Sequence, residues 1–235
     1  MKVKPENLRV RVIIPAFNEE KSIPLVIRDI PQQWVDEVIV VSNGSTDDTD
    51  RVATEAGATV LREDRIGYGW ACLLGIEHAV TKGTDIIIFL DGDYSDYPEQ
   101  IPDVLAPILE QNIDLVIGSR ALGEREKGSM TIPQIFGNWL ATTMMWLFYG
   151  VKYTDLGPFR AIKVEKLLAL KMSDKTYGWT IEMQIKAAKH HFSYTEVSVN
   201  YKNRIGKSKV SGTIKGTVMA GIKIIGAVFK YKLEK

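Results

Sequence analysis

Short β-branched runs alternate with amphipathic stretches through the first half of the chain. Residues 10–14 (VRVII) read as a strand ended by Pro15, and 37–41 (EVIVV) as a second, feeding the turn-rich Ser42-Asn43-Gly44-Ser45. Between them Ile23, Val26, Ile27 and Ile30 recur at helical spacing and predict a helix over 19–30. Another helix is expected over 47–56, with Ser45 or Thr46 as its N-cap and acidic residues in its first turn. Residues 59–61 form a brief strand and 69–81 a helix of small and apolar residues. The most apolar strand is 85–90 (DIIIFL), which suits a central parallel position buried on both faces. A helix over 98–111, in spite of Pro102 and Pro107, and a strand over 114–118 complete the series. This alternation predicts a parallel, doubly wound α/β sheet, whose ligands gather at the carboxyl ends of the strands. From about Gly123 the alternation fades.

Two later segments have a different character. Residues 128–151 carry no charge and include Trp139, Leu140, Met144, Met145, Trp146, Leu147, Phe148 and Tyr149. Pro133, Gly137, Asn138 and three threonines make an element lying in a membrane interface the better reading than a span. Over 213–232, Ile214, Val218, Ile222, Ile225 and Phe229 follow helical spacing, while Lys215, Lys223 and Lys230 can face anionic headgroups. A helix packed on the domain would show the same spacing.

Composition narrows the function. With 235 residues, 45% hydrophobic and 25% charged, the chain has a globular composition, and a net charge of +1 argues against a whole-domain nucleic-acid binder. The single cysteine, Cys72, excludes an internal disulfide and suits a reducing compartment. The opening MKVKPENLRVRV lacks the apolar core of a secretory signal, so a cytosolic location is expected.

The segment FLDGDYSDYPE ends the most apolar strand in Asp91 and Asp93, separated only by Gly92. In an extended chain both carboxylates would project to one side and repel unless a cation joined them. A hard divalent ion sharing its shell with substrate phosphates fits that arrangement. A calcium loop needs Gly and Glu where Asp96 and Pro102 stand, which excludes it. An aspartyl phosphatase and a nucleotide-sugar transferase both remain compatible with this segment alone.

The rim loops IIPAFNEE and VSNGSTDDT add small polar residues, an Asn and a Glu, a lining suited to a base and ribose. With them the sequence resembles family 2 of the glycosyltransferases, whose members carry Pro-x-x-Asn-Glu, then Asp-Asp-x-Ser-x-Asp-x-Thr, then Asp-x-Asp. The matching positions are Pro15, Asn18, Glu19, Ser45, Asp47 or Asp48, Thr49, Asp91 and Asp93. The likeness is greatest to the dolichyl-phosphate mannose synthase group and runs across nearly the whole chain. GYGWACLLGIEHA, VIGSR, TDLGPFRAIK, GWTIEMQIKA and NRIGKSKVSG resemble that group's segments in the same order. Departures are Ser42-Asn43 for the base-binding acids, Ser95-Asp96 for Gln-His, and Leu156-Gly157-Pro158 for a Ser-Gly pair.

The resemblance implies a GT-A-type fold: a mostly parallel central sheet flanked by helices. It implies a catalytic domain over 1–212, with a nucleotide-binding half to about 122 and an acceptor half beyond, then an amphipathic interfacial helix over 213–235. The implied reaction is a metal-dependent, inverting transfer of a sugar from a GDP- or UDP-linked donor to a dolichyl or undecaprenyl phosphate. Nucleotide contacts fall to Pro15, Ala16, Phe17, Asn18, Glu19, Asn43, Ser45, Asp91, Gly92 and Asp93. Mg²⁺ or Mn²⁺ falls to Asp91 and Asp93, with Ser95 as a third ligand. Asp91, Asp93, Arg120 and Arg160 are the expected catalytic residues. Arg120, Arg160, Arg204, Ser208 and Lys209 are expected at the acceptor phosphate, where Arg forks suit phosphate oxygens. Glu182 is the candidate base for a hydroxyl acceptor, or else a buried structural carboxylate. A soluble acceptor such as a sugar hydroxyl or a phosphoglycerate, and a non-catalytic nucleotide-sugar-binding protein, are the alternatives. The expected setting is the cytoplasmic face of a membrane, with a homodimer or a membrane-anchored partner compatible with it.

Overall fold

The computed structural model describes residues 4–206 and 214–233. Seven strands form one sheet: β1 (Val10–Ala16), β2 (Glu37–Ser42), β3 (Thr59–Arg62), β4 (Ile86–Phe89), β5 (Leu115–Ser119), β6 (Arg160–Lys163) and β7 (Tyr194–Ser198). Their order is β3-β2-β1-β4-β6-β5-β7, and β6 alone runs antiparallel to both its neighbours. The helices are α1 (Ile23–Asp29), α2 (Thr49–Glu55), α3 (Tyr68–Thr81), α4 (Ile101–Gln111), α5 (Ile132–Tyr149), α6 (Val164–Ala169), α7 (Trp179–Lys189) and α8 (Ile214–Leu233).

Period-two alternation divides the core into two layers. Ile13, Phe89 and Ile117 join one apolar cluster with residues of α3, α5, α7 and α8, whereas Val12, Ile14, Ile88 and Val116 join the other with α1, α2 and α4. All four residues of β4 are buried, as a central strand covered on both faces requires. Each such isoleucine stabilises the fold by roughly 1.5–3 kcal/mol.

The strand and helix alternation expected for the first half is present, with three local differences. Pro15 does not end β1; the strand continues to Ala16, and Pro15 sits opposite Val41 in the parallel ladder. Neither Ser45 nor Thr46 caps α2. Asp48 occupies the N-cap, and the Ser45 hydroxyl instead accepts the Asn18 amide at 3.1 Å. The helix expected from residue 19 begins only at Ile23, because 19–22 make a turn in which Ser22 N–H and Ile23 N–H bond Glu19 O.

Helix α5 owes its bounds to local chemistry: a Thr131/Gln134 capping box with Pro133 in the first turn opens it, and Gly150 at φ 72° closes it. Helix α8 packs on α5 through Phe148 and Phe229, whose rings meet edge to face at 5.3 Å, and through the Tyr149 hydroxyl, which donates to Val228 O at 2.5 Å.

Candidate active site

Strands β1 and β4 are neighbours, yet α1, which follows β1, and α3, which precedes β4, lie on opposite faces of the sheet. A crevice opens where the winding changes direction in this way. The cavity here has a volume of about 290 Å³. Pro15, Ala16, Phe17 and Glu19 line it from the end of β1, Asn43 from β2, and Asp91, Gly92 and Asp93 from β4. Ile66, Gly67, Tyr68, Ala71, Tyr177 and Arg204 complete the wall. A larger cleft of about 540 Å³, beside Thr84, Asp85 and Lys163, lies at the other end of β4 and contains none of the candidate residues.

The two aspartates therefore share one cavity, brought together by a turn at 92–93 beyond the end of β4 and not by the extended chain expected. Asp91 Oδ1 accepts the Tyr68 hydroxyl at 3.1 Å. Burial, followed by the negative charge of Asp93, pushes the Asp91 carboxyl up to about 7. Asp93 Oδ1 accepts Ser95 N–H at 3.0 Å and also the Ser95 hydroxyl, and its Oδ2 lies 3.1 Å from Arg204 Nη1. Asp96 is buried directly behind the pair; its Oδ2 accepts Asp91 N–H at 3.4 Å, while its Oδ1 is buried without a partner. Burial and the charges of Asp91 and Asp93 hold the Asp96 carboxyl well above the usual range.

This donor set fits a Mg²⁺ or Mn²⁺ ion. The Asp91 carboxylate, raised in energy by burial and by the charge of Asp93, gains from a cation at the pair. Among the described residues no group of three His, Cys, Asp or Glu side chains is gathered to hold a metal. An ion bound by Asp91 and Asp93 would thus complete its shell from phosphate oxygens and water, as these ions commonly do.

The first two rim loops are fastened to each other. Asn18, at φ 55°, accepts Thr46 N–H through its side-chain oxygen at 2.8 Å, and Glu19 N–H donates to Thr49 Oγ1 at 2.8 Å. Glu19 Oε2 takes the Ser22 hydroxyl at 2.8 Å, and Oε1 lies 3.4 Å from Arg204 Nη2. Arg204 thereby spans Glu19 and Asp93 across the cavity mouth.

Two glycines in GYGW let the loop carrying Tyr177 cover the start of α3. A Cβ at Gly67 would stand 2.2 Å from Lys175 O, and one at Gly69 would stand 2.1 Å from Asp174 O. Both distances are impossible for a side chain, so only glycine admits this approach.

Several candidates are committed elsewhere. Arg160 is 1% exposed and donates to the carbonyls of Leu156, Gly157 and Thr180. Burial lowers its ionisation to about 10, and it anchors the loop before β6 rather than meeting a phosphate. Arg120 closes its fork on Asp155, Nε at 2.8 Å and Nη2 at 2.7 Å. Freeing it would break a buried ion pair, at a cost of roughly 3–5 kcal/mol. Glu182 is fully buried: Oε1 accepts Ser173 N–H at 2.8 Å and lies 2.6 Å from Lys186 Nζ, and Oε2 accepts Asp174 N–H at 2.7 Å. It is the structural carboxylate, not a base facing substrate.

Asn43 lines the cavity, but its amide N–H groups donate to Glu63 O and Arg65 O, both at 2.9 Å, and its oxygen accepts Gly67 N–H at 2.7 Å. Its side chain shapes the 63–67 loop instead of reading a base. Ser95, expected as a third metal ligand, is buried, and both its N–H and its hydroxyl donate to Asp93 Oδ1. Ser208 and Lys209 lie outside the described residues. Tyr68, Ile66, Tyr177 and Asp155 were not anticipated from the sequence; of these, only Tyr68 carried a signal, as a lone phenol between two glycines.

The site and sheet agree with what comparisons with known proteins reveal. Residues 11–168 match the family description "Glycosyl transferase family 2". An uncharacterized glycosyltransferase of Mycobacterium tuberculosis is 34% identical over 214 residues, covering 90% of this chain and 94% of that protein. An undecaprenyl-phosphate mannosyltransferase of Micrococcus luteus is 29% identical over 240 residues, covering 96% and 97%. Among solved structures, glucosyl-3-phosphoglycerate synthase of M. tuberculosis, crystallised with Mn²⁺, UDP and glucosyl-3-phosphoglycerate, superposes with a TM-score of 0.76 at 24% identity. That match covers 96% of this chain and 80% of the other, and the shared fold is the GT-A type. The chain belongs to glycosyl transferase family 2.

Proposed function

We propose that the protein transfers a sugar from a nucleotide-diphosphate donor to a polyprenyl phosphate, with inversion, at a membrane surface. The observation that carries this reading is the placement of Asp91 and Asp93 on one cavity at the switch point, with Arg204 across its mouth. Asp91 and Asp93 would hold Mg²⁺ or Mn²⁺, whose charge offsets the negative charge developing on the diphosphate as the sugar leaves. Tyr68 and Ser95 orient the two carboxylates, and Arg204, expected at the acceptor phosphate, stands instead beside Asp93 on the donor cavity, where it would supply a second cationic group to the diphosphate.

Two features support a lipid phosphate as acceptor. A phosphate monoester is already anionic at neutral pH and needs no strong base, which agrees with the full engagement of Glu182. The outer face of α5 also presents Ile132, Ile135, Phe136, Trp139, Trp146 and Leu147 to solvent, with Trp139 58% exposed. Exposed Lys152, 5.9 Å from the Trp146 ring, and exposed Lys232, bonded to Phe148 O, adjoin this stripe, a pairing suited to anionic headgroups and their interface. No helix among the described residues is long and apolar enough to cross a membrane, so contact of this kind would be peripheral. The undecaprenyl-phosphate relative supports the same acceptor.

The phosphoglycerate-using structural neighbour favours a second reading, a soluble phosphorylated acceptor at the same donor site. Competition decides between them: labelled UDP- and GDP-sugars are offered with Mn²⁺, a short polyprenyl phosphate and 3-phosphoglycerate together. Label in the organic phase supports the lipid reading. Label confined to phosphoglycerate would replace it with the soluble one.

A further inference from the structure

Residues 201–205 run between two other segments of the cavity rim. Tyr201 bridges Asp96 on one side and Arg125 on the other. Tyr201 N–H donates to Glu124 O, Lys202 N–H to Ser95 O and Ile205 N–H to Asp93 O, each at 2.9 Å. Asn203 closes on Glu126 Oε2 through its backbone N–H at 2.7 Å and its side-chain amide at 2.9 Å. This strap carries Arg204 to Asp93 and Glu19.

The strap has a side-chain fastening as well. Lys202 Nζ lies 3.3 Å from the ring centre of Tyr94 and 4.4 Å from that of Tyr97, a cation held by two aromatic faces. Tyr94 stands between Asp93 and Ser95 at φ 63°, a left-handed conformation unfavourable for a bulky side chain. Such strain persists only where surrounding contacts hold it. Here Asp29 takes the Tyr94 hydroxyl and Lys202 covers the ring. Arg204 is held at its tip by Asp93 and Glu19, at 3.1 and 3.4 Å, but its Nε is buried without a partner, and those two contacts form only where the backbone brings the side chain to the cavity mouth. Its placement therefore depends on the strap.

We propose that Lys202 is a positioning residue for the donor site. Gripped by Tyr94 and Tyr97, it sets the strap against the Asp91–Asp93 turn and so aims Arg204 at the donor diphosphate. Lys202 touches no reacting atom. The inference rests on the nucleotide-sugar reading of the cavity and is independent of which acceptor is used.

The test compares Lys202→Met and Lys202→Arg with the wild type by calorimetric titration of UDP and of GDP in the presence of Mn²⁺, alongside thermal melting. Lys202→Met is expected to weaken the nucleotide bound by the wild type about tenfold, the worth of one or two cation–ring contacts. Its melting temperature should stay within about 2 °C of wild type, as expected for a group outside the core. Lys202→Arg, which keeps a cation over both rings, should return the affinity to within about threefold of wild type. Wild-type affinity in Lys202→Met, or a loss that Arg does not rescue, overturns the proposal. Failure of the wild type to bind either nucleotide would instead overturn the donor reading on which it stands.

Discussion

The Tyr68 hydroxyl donates to Asp91 at 3.1 Å, joining the first turn of α3 to the carboxyl end of β4. Burial and Asp93 push the Asp91 carboxyl up to about 7, and the phenol works against both by stabilising the ionised form. Removing that donor in Tyr68→Phe destabilises the carboxylate, so its ionisation moves to still higher pH. A hydrogen bond to a charged group is worth about 1.5 kcal/mol, or about one pH unit. Mn²⁺ affinity measured from pH 5 to 9 should fall below about pH 7 in the wild type, and the same limb should appear about one unit higher in Tyr68→Phe. Coincident limbs would remove Tyr68 from the account.

Glu182 answers three partners from a fully buried position, including Lys186 at 2.6 Å. Glu182→Gln leaves the Lys186 ammonium without its counter-charge and turns amide protons toward the 173–174 N–H groups. The expected cost is about 3 kcal/mol of stability, seen as a lower melting temperature. Below the new transition, kcat should stay within about threefold of wild type, since no proton transfer passes through this residue. A stable variant with kcat reduced a hundredfold would restore Glu182 as a base.

Glu37 sets part of the acid stability. It joins β2 to Arg11 of β1 at 2.6 Å, Thr59 of β3 at 2.8 Å and His78 of α3 at 3.0 Å. Burial alone would raise its carboxyl, but these three partners outweigh it and lower the value from 4.5 to about 2. A depressed carboxylate contributes stability that is present above pH 4.5 and lost as pH falls toward 2. The contribution is about 3 kcal/mol at neutral pH. Denaturant melts should therefore show wild type losing stability over that interval, while Glu37→Gln starts lower and changes less. Parallel curves would contradict the assignment.

The first half of the fold was legible because its strands are buried on both faces and its helices carry apolar stripes. Ile86, Ile87 and Ile88 marked a central strand buried on both faces, though β4 is parallel only to β1 and antiparallel to β6. Strand β6 was not legible: it is four residues long, begins with a charged residue, and acquires its order from β4 and β5 on either side. Edge strand β7 has partly exposed residues and no clear alternation. At the site, the spacing marked Asp91 and Asp93 as a pair, and they do line one cavity. That segment alone left a phosphatase and a sugar transferase both open, and the rim loops were needed to choose. The fate of the arginines could not, because a sequence shows a guanidinium but not its partner. Asp155 lies 35 residues from Arg120, and Arg160 spends its donors on carbonyls that any sequence would supply. Arg204 reaches Glu19 across 185 residues of chain, a contact set by the strap and not by any local pattern.

The most direct test is the partition of label from a nucleotide sugar in the presence of a short polyprenyl phosphate, for the wild type and Asp93→Ala, with Mn²⁺ and with EDTA. The account predicts organic-phase label for the wild type with Mn²⁺, none with EDTA, and a loss of at least about a hundredfold in Asp93→Ala without unfolding. Organic-phase label made equally well by Asp93→Ala, or none made by the wild type with any nucleotide sugar, would contradict it.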